Sequence, residues 1–385
     1  MAISTYSVIM AVLCSDIFII LLYVLRKKRI LTSYYGITLL TILYILTAFR
    51  MLFPLEFDFT IIINVPTIYN PLGSFLRHQL GTSGITVRMV FLLVWITGSA
   101  FFLIRYVYHY RKAFHTICNY ELVTDPKVLS ILEKVNRKYH KVTRITLRKT
   151  SHISVPMGIG LFQKTILLPD WEYDDTELFY IIAHECNHFY NHDLWVKIAN
   201  QLFCCIFWWN PLVYLLHTDL ENALEIKCDY TVSEDLLSNE KAAYIQTIIQ
   251  GIKRALGNKT SEGELQSQSA RLLNRGKHEN TRERIELLTQ DSSFKPPLLI
   301  RSLVMIVCLV FMISSYCFIL QPEYPAPDVD ENGEPLLGSE DITIFKEADG
   351  TYSFHVDGTD IYIPISEEEA EFNLEGGAKL VEKER

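Results

Sequence analysis

Residues 87–108 read VRMVFLLVWITGSAFFLIRYVY, and this stretch decides what kind of molecule the chain forms. It holds two charges, Arg88 and Arg105, each near an end. The hydrocarbon core of a bilayer, about 30 Å thick, is crossed by about 20 consecutive apolar residues in a helix. Lipid offers no partner to a bare amide, so such a segment closes its hydrogen bonds internally and must be helical. Three further stretches pass the same test: Tyr6–Leu25, Tyr34–Phe53 and Leu298–Leu320. The first is not a cleaved leader, because its basic cluster, Arg26-Lys27-Lys28-Arg29, follows the apolar run.

Lysine and arginine set the orientation of such spans. Four lie between the first two spans, and only Arg77 lies between Pro54 and Thr86. Arg105, Arg111 and Lys112 flank the inner end of the third span. Arg282, Arg284 and Lys295 precede the fourth, and the first basic residue after that span is Lys346. These counts predict an outside N-terminus, a cytosolic segment of residues 109–297 and an outside tail. Arg50, Arg88 and Arg301 read as snorkelling side chains. Asp16 falls mid-span, where a carboxylate either joins spans functionally or is simply satisfied by a partner or water.

The 385 residues are 49% hydrophobic and 21% charged, which excludes a largely disordered chain and argues against an ordinary soluble globule. Charge is polarised. Residues 321–385 hold 18 acidic and 4 basic groups, a net −14, so residues 1–320 carry +6 of the chain's −8. The eight cysteines form no CxxC pair and read as free thiols, against a thiolate zinc ribbon or a redox pair. The absence of a P-loop, a dinucleotide fingerprint and a basic stripe argues against direct nucleic-acid binding. Within the tail, residues 341–365 alternate and contain Asp349-Gly350 and Asp357-Gly358, which are hairpin signals. A small β-meander with a disordered acidic end is expected.

The cytosolic stretch predicts a helix over Asp125–His140, with Asp125 capping and Pro126 first. A strand over Val142–Thr150 and a strand or edge hairpin over Pro156–Leu168 follow. Helices are expected over Asp175–Tyr190, Asp193–Trp208, Leu212–Val232, Lys241–Leu256 and Thr281–Thr289, with a flexible linker over Gly257–Lys277. Ser238 reads as the cap of the Lys241–Leu256 helix. LFCCIFWWNPLVYLL, residues 202–216, is too short and too interrupted for a fifth span; an interfacial and a buried reading both fit it.

The chemistry sits in IIAHECNH, residues 181–188. His184 and His188 are one helical turn apart and can hold one Zn²⁺. Glu185 is then beside the reacting water and can serve as general base. A third ligand must come from elsewhere, and Leu212–Val232 offers Glu221, Glu225 and Asp229 at spacings of four; geometry alone does not choose among them. His192 and Asp193 follow the motif, with Asp193 a candidate to orient a ligand histidine. His217 and Tyr230 are candidate oxyanion donors. Cys228 reads as a small core residue. The strand around Met157–Phe162 could take an extended substrate by strand addition.

These residues resemble the BlaR/MecR family of antibiotic-sensing bacterial membrane metallopeptidases. The resemblance rests on VPMGIGLFQKTILLP (155–169), HECNH followed by HDLWV (184–196), FWWNPLVYLL (207–216), LEIKCD (224–229) and the four-span layout, over about residues 1–320. It implies Glu225 as third zinc ligand, with Asp229 orienting a ligand and Glu221 as runner-up. It also implies a signal carried inward to cut a cytosolic protein such as a transcriptional repressor, with self-cleavage typical. Two departures stand out. The family's sensor members carry a penicillin-binding domain after the fourth span, whereas 65 residues without an SxxK follow here; Ser238-Asn239-Glu240-Lys241 matches only by spelling. The stretch before Glu225 is also less basic, with Asp219 and Glu221 present.

The expectation is therefore an integral membrane α-helical protein of four transmembrane helices, with a cytosolic α+β zinc-metallopeptidase domain and a small extracellular β-rich tail. Its divisions are 1–108, 109–297, 298–320 and 321–385, and its setting is a bacterial plasma membrane. One Zn²⁺, the lipid bilayer, a repressor-like protein substrate and a homodimer are the expected cofactor and partners. The rival readings are a constitutive membrane quality-control protease and a non-enzymatic signal transducer.

Overall fold

A computed structural model describes residues 4–28, 34–57, 59–80, 84–141, 144–257, 280–289, 298–321, 342–346, 351–356, 362–367, 370, 374 and 379–382. They fall into two compact units, Met1–Gln321 and Pro322–Arg385.

The first unit opens with helices α1 (Thr5–Lys27) and α2 (Tyr34–Leu52). Ser4 caps α1, its side chain accepting from the Ser7 amide. Strand β1 (Ile61–Asn64), helix α3 (Pro66–Arg77) and helix α4 (Val87–Cys118) follow. Helix α4 does not stop at Tyr108. The polarity boundary there is not a helix breaker, and neither glycine nor proline occurs before Cys118. By length and composition α1 and α4 can each cross a membrane, while Gly36–Leu52 and Ser302–Ser314 are shorter apolar helices.

The chain departs from expectation at its last apolar run. Helix α11 (Leu298–Ser314) ends six residues before Leu320, and Phe318–Gln321 becomes strand β6, paired in parallel with β1. Tyr6, Met10 and Cys14 of α1, Tyr69 of α3 and Ile319 of β6 form one apolar cluster around this pair. Strand β1 and helix α3 were unforeseen, being set by a contact some 250 residues distant in sequence.

The largest core joins Phe18 and Leu22 of α1, Leu40 and Leu43 of α2, and Cys308 of α11 to the ambiguous segment 202–216. That segment is the turn of a helical hairpin, α7 (Asp193–Ile206) and α8 (Pro211–Ser233). Its inward side chains join this core, while Trp209 and Tyr214 stay exposed. The turn reaches residues midway along α1 and α4. Asn210 donates to Asp16 Oδ1 at 2.8 Å, and Trp95 Nε1 and Ser99 Oγ donate to the Ile206 carbonyl at 2.6 and 3.0 Å. Gly98 makes room for Trp208, since a Cβ there would lie 2.5 Å from the indole.

Beside this core stands a sheet ordered β2 (Glu121–Leu122), β3 (Thr146–Thr150), β5 (Thr165–Pro169), β4 (Met157–Ile159). Strands β3 and β5 run parallel and the other pairs antiparallel, so Met157–Pro169 is the expected hairpin with β4 at the edge. Gly160, at φ 91°, turns the chain out of β4. Helices α5 (Pro126–Lys138) and α6 (Asp175–Tyr190) cover the sheet through Ile131, Val135, Ile166, Ile182 and Phe189. Helices α9 (Ser238–Gly257) and α10 (residues 280–289) close the unit around Tyr180, Cys228, Tyr244 and Leu288. Ser238 opens α9 and does not cap it; Glu240 instead accepts from the Leu237 amide at 3.0 Å. Residues 142–143 and 258–277 of the expected strand and linker lie outside the described residues.

The second unit is a four-stranded sheet. Strands β7 (Ile342–Lys346), β8 (Tyr352–Val356) and β9 (Tyr362–Ile365) form the expected meander. The acidic end, expected to be disordered, supplies β10 (Lys379–Glu382), which pairs in parallel with β7 through apolar Leu380 and Val381. The two Asp-Gly turns lie outside the described residues.

Candidate metal centre

Helix α6 presents His184 and His188 on one face, with ring centroids 5.0 Å apart. Each Nδ1 has a partner. Tyr244 on α9 donates its hydroxyl hydrogen to Asp229 Oδ1 at 2.6 Å, and its oxygen lies 2.9 Å from His184 Nδ1. Asp193, at the start of α7, places Oδ2 2.9 Å from His188 Nδ1. A carboxylate and a phenol oxygen already donating its hydrogen can only accept, so each Nδ1 carries the proton. Each Nε2 is then left for a second proton or for a metal.

Both Nε2 atoms face the same group. Glu225 Oε2 lies 3.3 Å from His184 Nε2, and Glu225 Oε1 lies 3.4 Å from His188 Nε2. Lone pairs meeting a carboxylate repel unless positive charge sits between them. A tetrahedral zinc with bonds of about 2.0–2.2 Å sets its ligands about 3.3–3.5 Å apart. Each histidine faces its own oxygen of Glu225 at about that separation.

Burial opposes charge on His188, yet Cys228, Glu225 and Asp193 outweigh it and push the imidazole up to about 10. Burial likewise works to raise Glu225, and His188 and Lys197 override it, holding the carboxyl well below the usual range. Asp229 is driven up by burial and, more strongly, down by Arg284. The pocket favours positive charge at the imidazoles and keeps its carboxylates ionised.

Cys228 is a second candidate for the third donor. Its Sγ lies within 4.8 Å of donor atoms of both histidines, although the thiol also donates to the His184 carbonyl at 3.2 Å. Asp229 sits on the Nδ1 side of His184, at 3.4 Å. Glu221 is half exposed and pairs with His217 at 3.8 Å, and His217 is hydrogen-bonded by Asn200 at 2.9 Å. Tyr230 packs on the α1–α2–α8 core. His192 sits at φ 58° before α7 and makes no capping bond through its side chain.

Glu185 lies behind edge strand β4: a Cβ on Gly158 would be 3.4 Å from its Oε2. Three residues were not anticipated. Tyr244 is the first. Lys197 donates to Glu225 Oε1 at 3.0 Å, and Arg284 of α10 forks onto Asp229 at 2.6 and 2.8 Å while reaching Glu225 Oε2 at 3.3 Å.

A family model described as BlaR1 peptidase M56 matches residues 60–288, a span that holds every residue of this cluster. The methicillin resistance mecR1 protein of Staphylococcus aureus is 34% identical over 184 residues, 45% of this chain and 30% of that protein. The regulatory protein BlaR1 of Bacillus licheniformis is 24% identical over 166 residues, 43% and 28% of the two chains. The chain thus spans under a third of the length of these curated relatives.

Proposed function

The chain belongs to the BlaR1 peptidase M56 family, and from that premise we propose an integral membrane zinc endopeptidase whose ion is held by His184, His188 and Glu225. One observation carries the assignment: the Nε2 atoms of two imidazoles on one helix face converge on one carboxylate at 3.3 and 3.4 Å. Zinc bound there would supply Lewis acidity, polarising a peptide carbonyl and acidifying water. Asp193, Tyr244 and Asp229 fix the imidazole tautomers. Glu185 takes the proton of the attacking water on its carboxylate and hands it to the leaving amine nitrogen. Strand β4, at the sheet edge against Glu185, receives the substrate as an added strand.

In this reading α1, α2, α4 and α11 cross the bacterial plasma membrane, with the metal centre on the cytosolic side and residues 322–385 outside. The β1–β6 pairing supports it by placing the loop before α4 and the chain after α11 at one end. The substrate is a cytosolic protein of the repressor kind, and the word "regulatory" in a relative's name favours signalling over quality control.

Metal analysis of the purified full chain tests the site. Wild type should hold one zinc, Glu225→Ala should lose it, and Cys228→Ala should keep it. The reverse pattern would hand the third position to Cys228.

A further inference from the structure

Helix α10 is short, and two adjacent residues on it reach different places. Arg284 grips the metal centre from outside, forking onto Asp229 and touching Glu225. Glu283, its neighbour, takes Arg26 of α1: Arg26 Nη1 donates to Glu283 Oε1 at 2.6 Å. Arg26 is the last buried residue of α1, 2% exposed, and its Nε also donates to Asp219 Oδ1 at 2.6 Å. Tyr44 of α2 donates to the same Asp219, and Asn222 donates to Glu283 Oε2 at 3.2 Å. Asp219, Asn222, Glu225 and Asp229 occupy successive turns of α8. One stripe of α8 therefore carries both networks, and α10 bridges them.

A buried guanidinium stripped of its carboxylates is costly, so Arg26 holds Asp219 and Glu283 wherever α1 goes. Leu287 and Leu288 seat the same helix in the two flanking cores, so α10 moves as a body. Its Arg284 shares Glu225 Oε2 with His184 Nε2, so a shift of α10 changes the orientation of a proposed zinc donor and the positive charge beside it.

We propose that α10 is a coupling arm, in which Arg284 is a positioning residue for Glu225 and Asp229, and Glu283 ties it to Arg26 of α1. Metal affinity then depends on where α1 stands. This rests on the zinc reading above and adds its regulation.

The test is a double-mutant cycle on full-length protein in detergent, read as zinc affinity by chelator competition. Arg284→Gln should weaken zinc binding about tenfold or more. Glu283→Gln, which touches no donor, should weaken it about two- to thirtyfold. In the Arg284→Gln background Glu283→Gln should add nothing. Arg284→Lys keeps the charge but cannot fork, so its affinity should fall between wild type and Arg284→Gln. If Arg284→Gln fails to elute as a folded species, the cycle is run with Arg284→Lys, where the Glu283→Gln effect should shrink. Independent, multiplying losses, or a Glu283→Gln affinity equal to wild type, would overturn the coupling. A wild type that binds no zinc would instead overturn the metal site itself.

Discussion

Helix α8 carries two regions of opposite character. Toward its start, Val213, Leu216 and Leu220 enter an apolar core with α1 and α2. Toward its end, Glu225, Cys228 and Asp229 enter a directed polar network with α6, α7, α9 and α10. Contacts in the first region are individually weak and respond to volume. Those in the second are few, and removing one partner strands another buried group. The same helix should thus forgive changes of chemistry at one end and changes of shape at the other in opposite measure.

The sharpest contrast is between two near-isosteric changes. Glu185→Gln, beside the polar region, should lower cleavage of an unfolded protein substrate by at least about a hundredfold, with zinc content and melting temperature unchanged. Leu216→Met, in the apolar region, should leave all three close to wild type, since volume-conserving swaps cost under about 1.5 kcal/mol. Retained cleavage in Glu185→Gln would remove that residue as the base.

Leu216→Ala reverses the contrast. Leu216 is 1% exposed, and its truncation should cost about 2–5 kcal/mol, read by denaturant unfolding in detergent. Zinc affinity of the folded fraction should not move. A large loss of affinity would mean that the two regions are not separable. Next in size is Gly98→Ala, which would put a methyl 2.5 Å from the Trp208 ring. Displacing the indole should cost about 1–3 kcal/mol and lower the melting temperature, because the apolar turn has no slack for an added carbon.

The two regions were not equally legible. Helix α6 runs over Asp175–Tyr190 as its pattern indicates, because HExxH and its apolar partners are local signals. Asp193 was nameable from its place five residues after His188. Glu225 was one of three carboxylates on a stripe, and choosing it needed the family resemblance. Arg284 was counted toward membrane orientation, a count that is silent on whether a charge is buried. Tyr244 and Lys197 lie in ordinary helical patterns, and only the packing of α9 against α6 and of α7 against α8 gives them partners. Segment 202–216 stayed open between two readings: its composition suits an interface as well as a core, and the partners of its turn, Trp95, Gly98 and Asp16, lie more than 100 residues away. Strand β10 was missed because its acidic flanks outweigh Leu380 and Val381 in any composition count.

Asp16 tests the comparison at its finest, because it is a polar group inside the apolar region. Its carboxylate accepts from Asn210, and Asn210 in turn caps α8 by accepting from the Leu212 amide at 2.9 Å. An asparagine at position 16 still offers an oxygen to that donor, so Asp16→Asn preserves the bond while deleting the charge. Hydrogen bonds between membrane helices average about 0.6 kcal/mol, so the structural effect should be at or below that size. If Asp16 only holds the turn, Asp16→Asn should leave melting temperature, zinc affinity and cleavage within error of wild type. If its charge couples α1 to the catalytic region, cleavage should change while stability does not. The α10 route through Arg26 predicts the first outcome, since it passes signal through the opposite end of α1 and needs no charge at mid-helix.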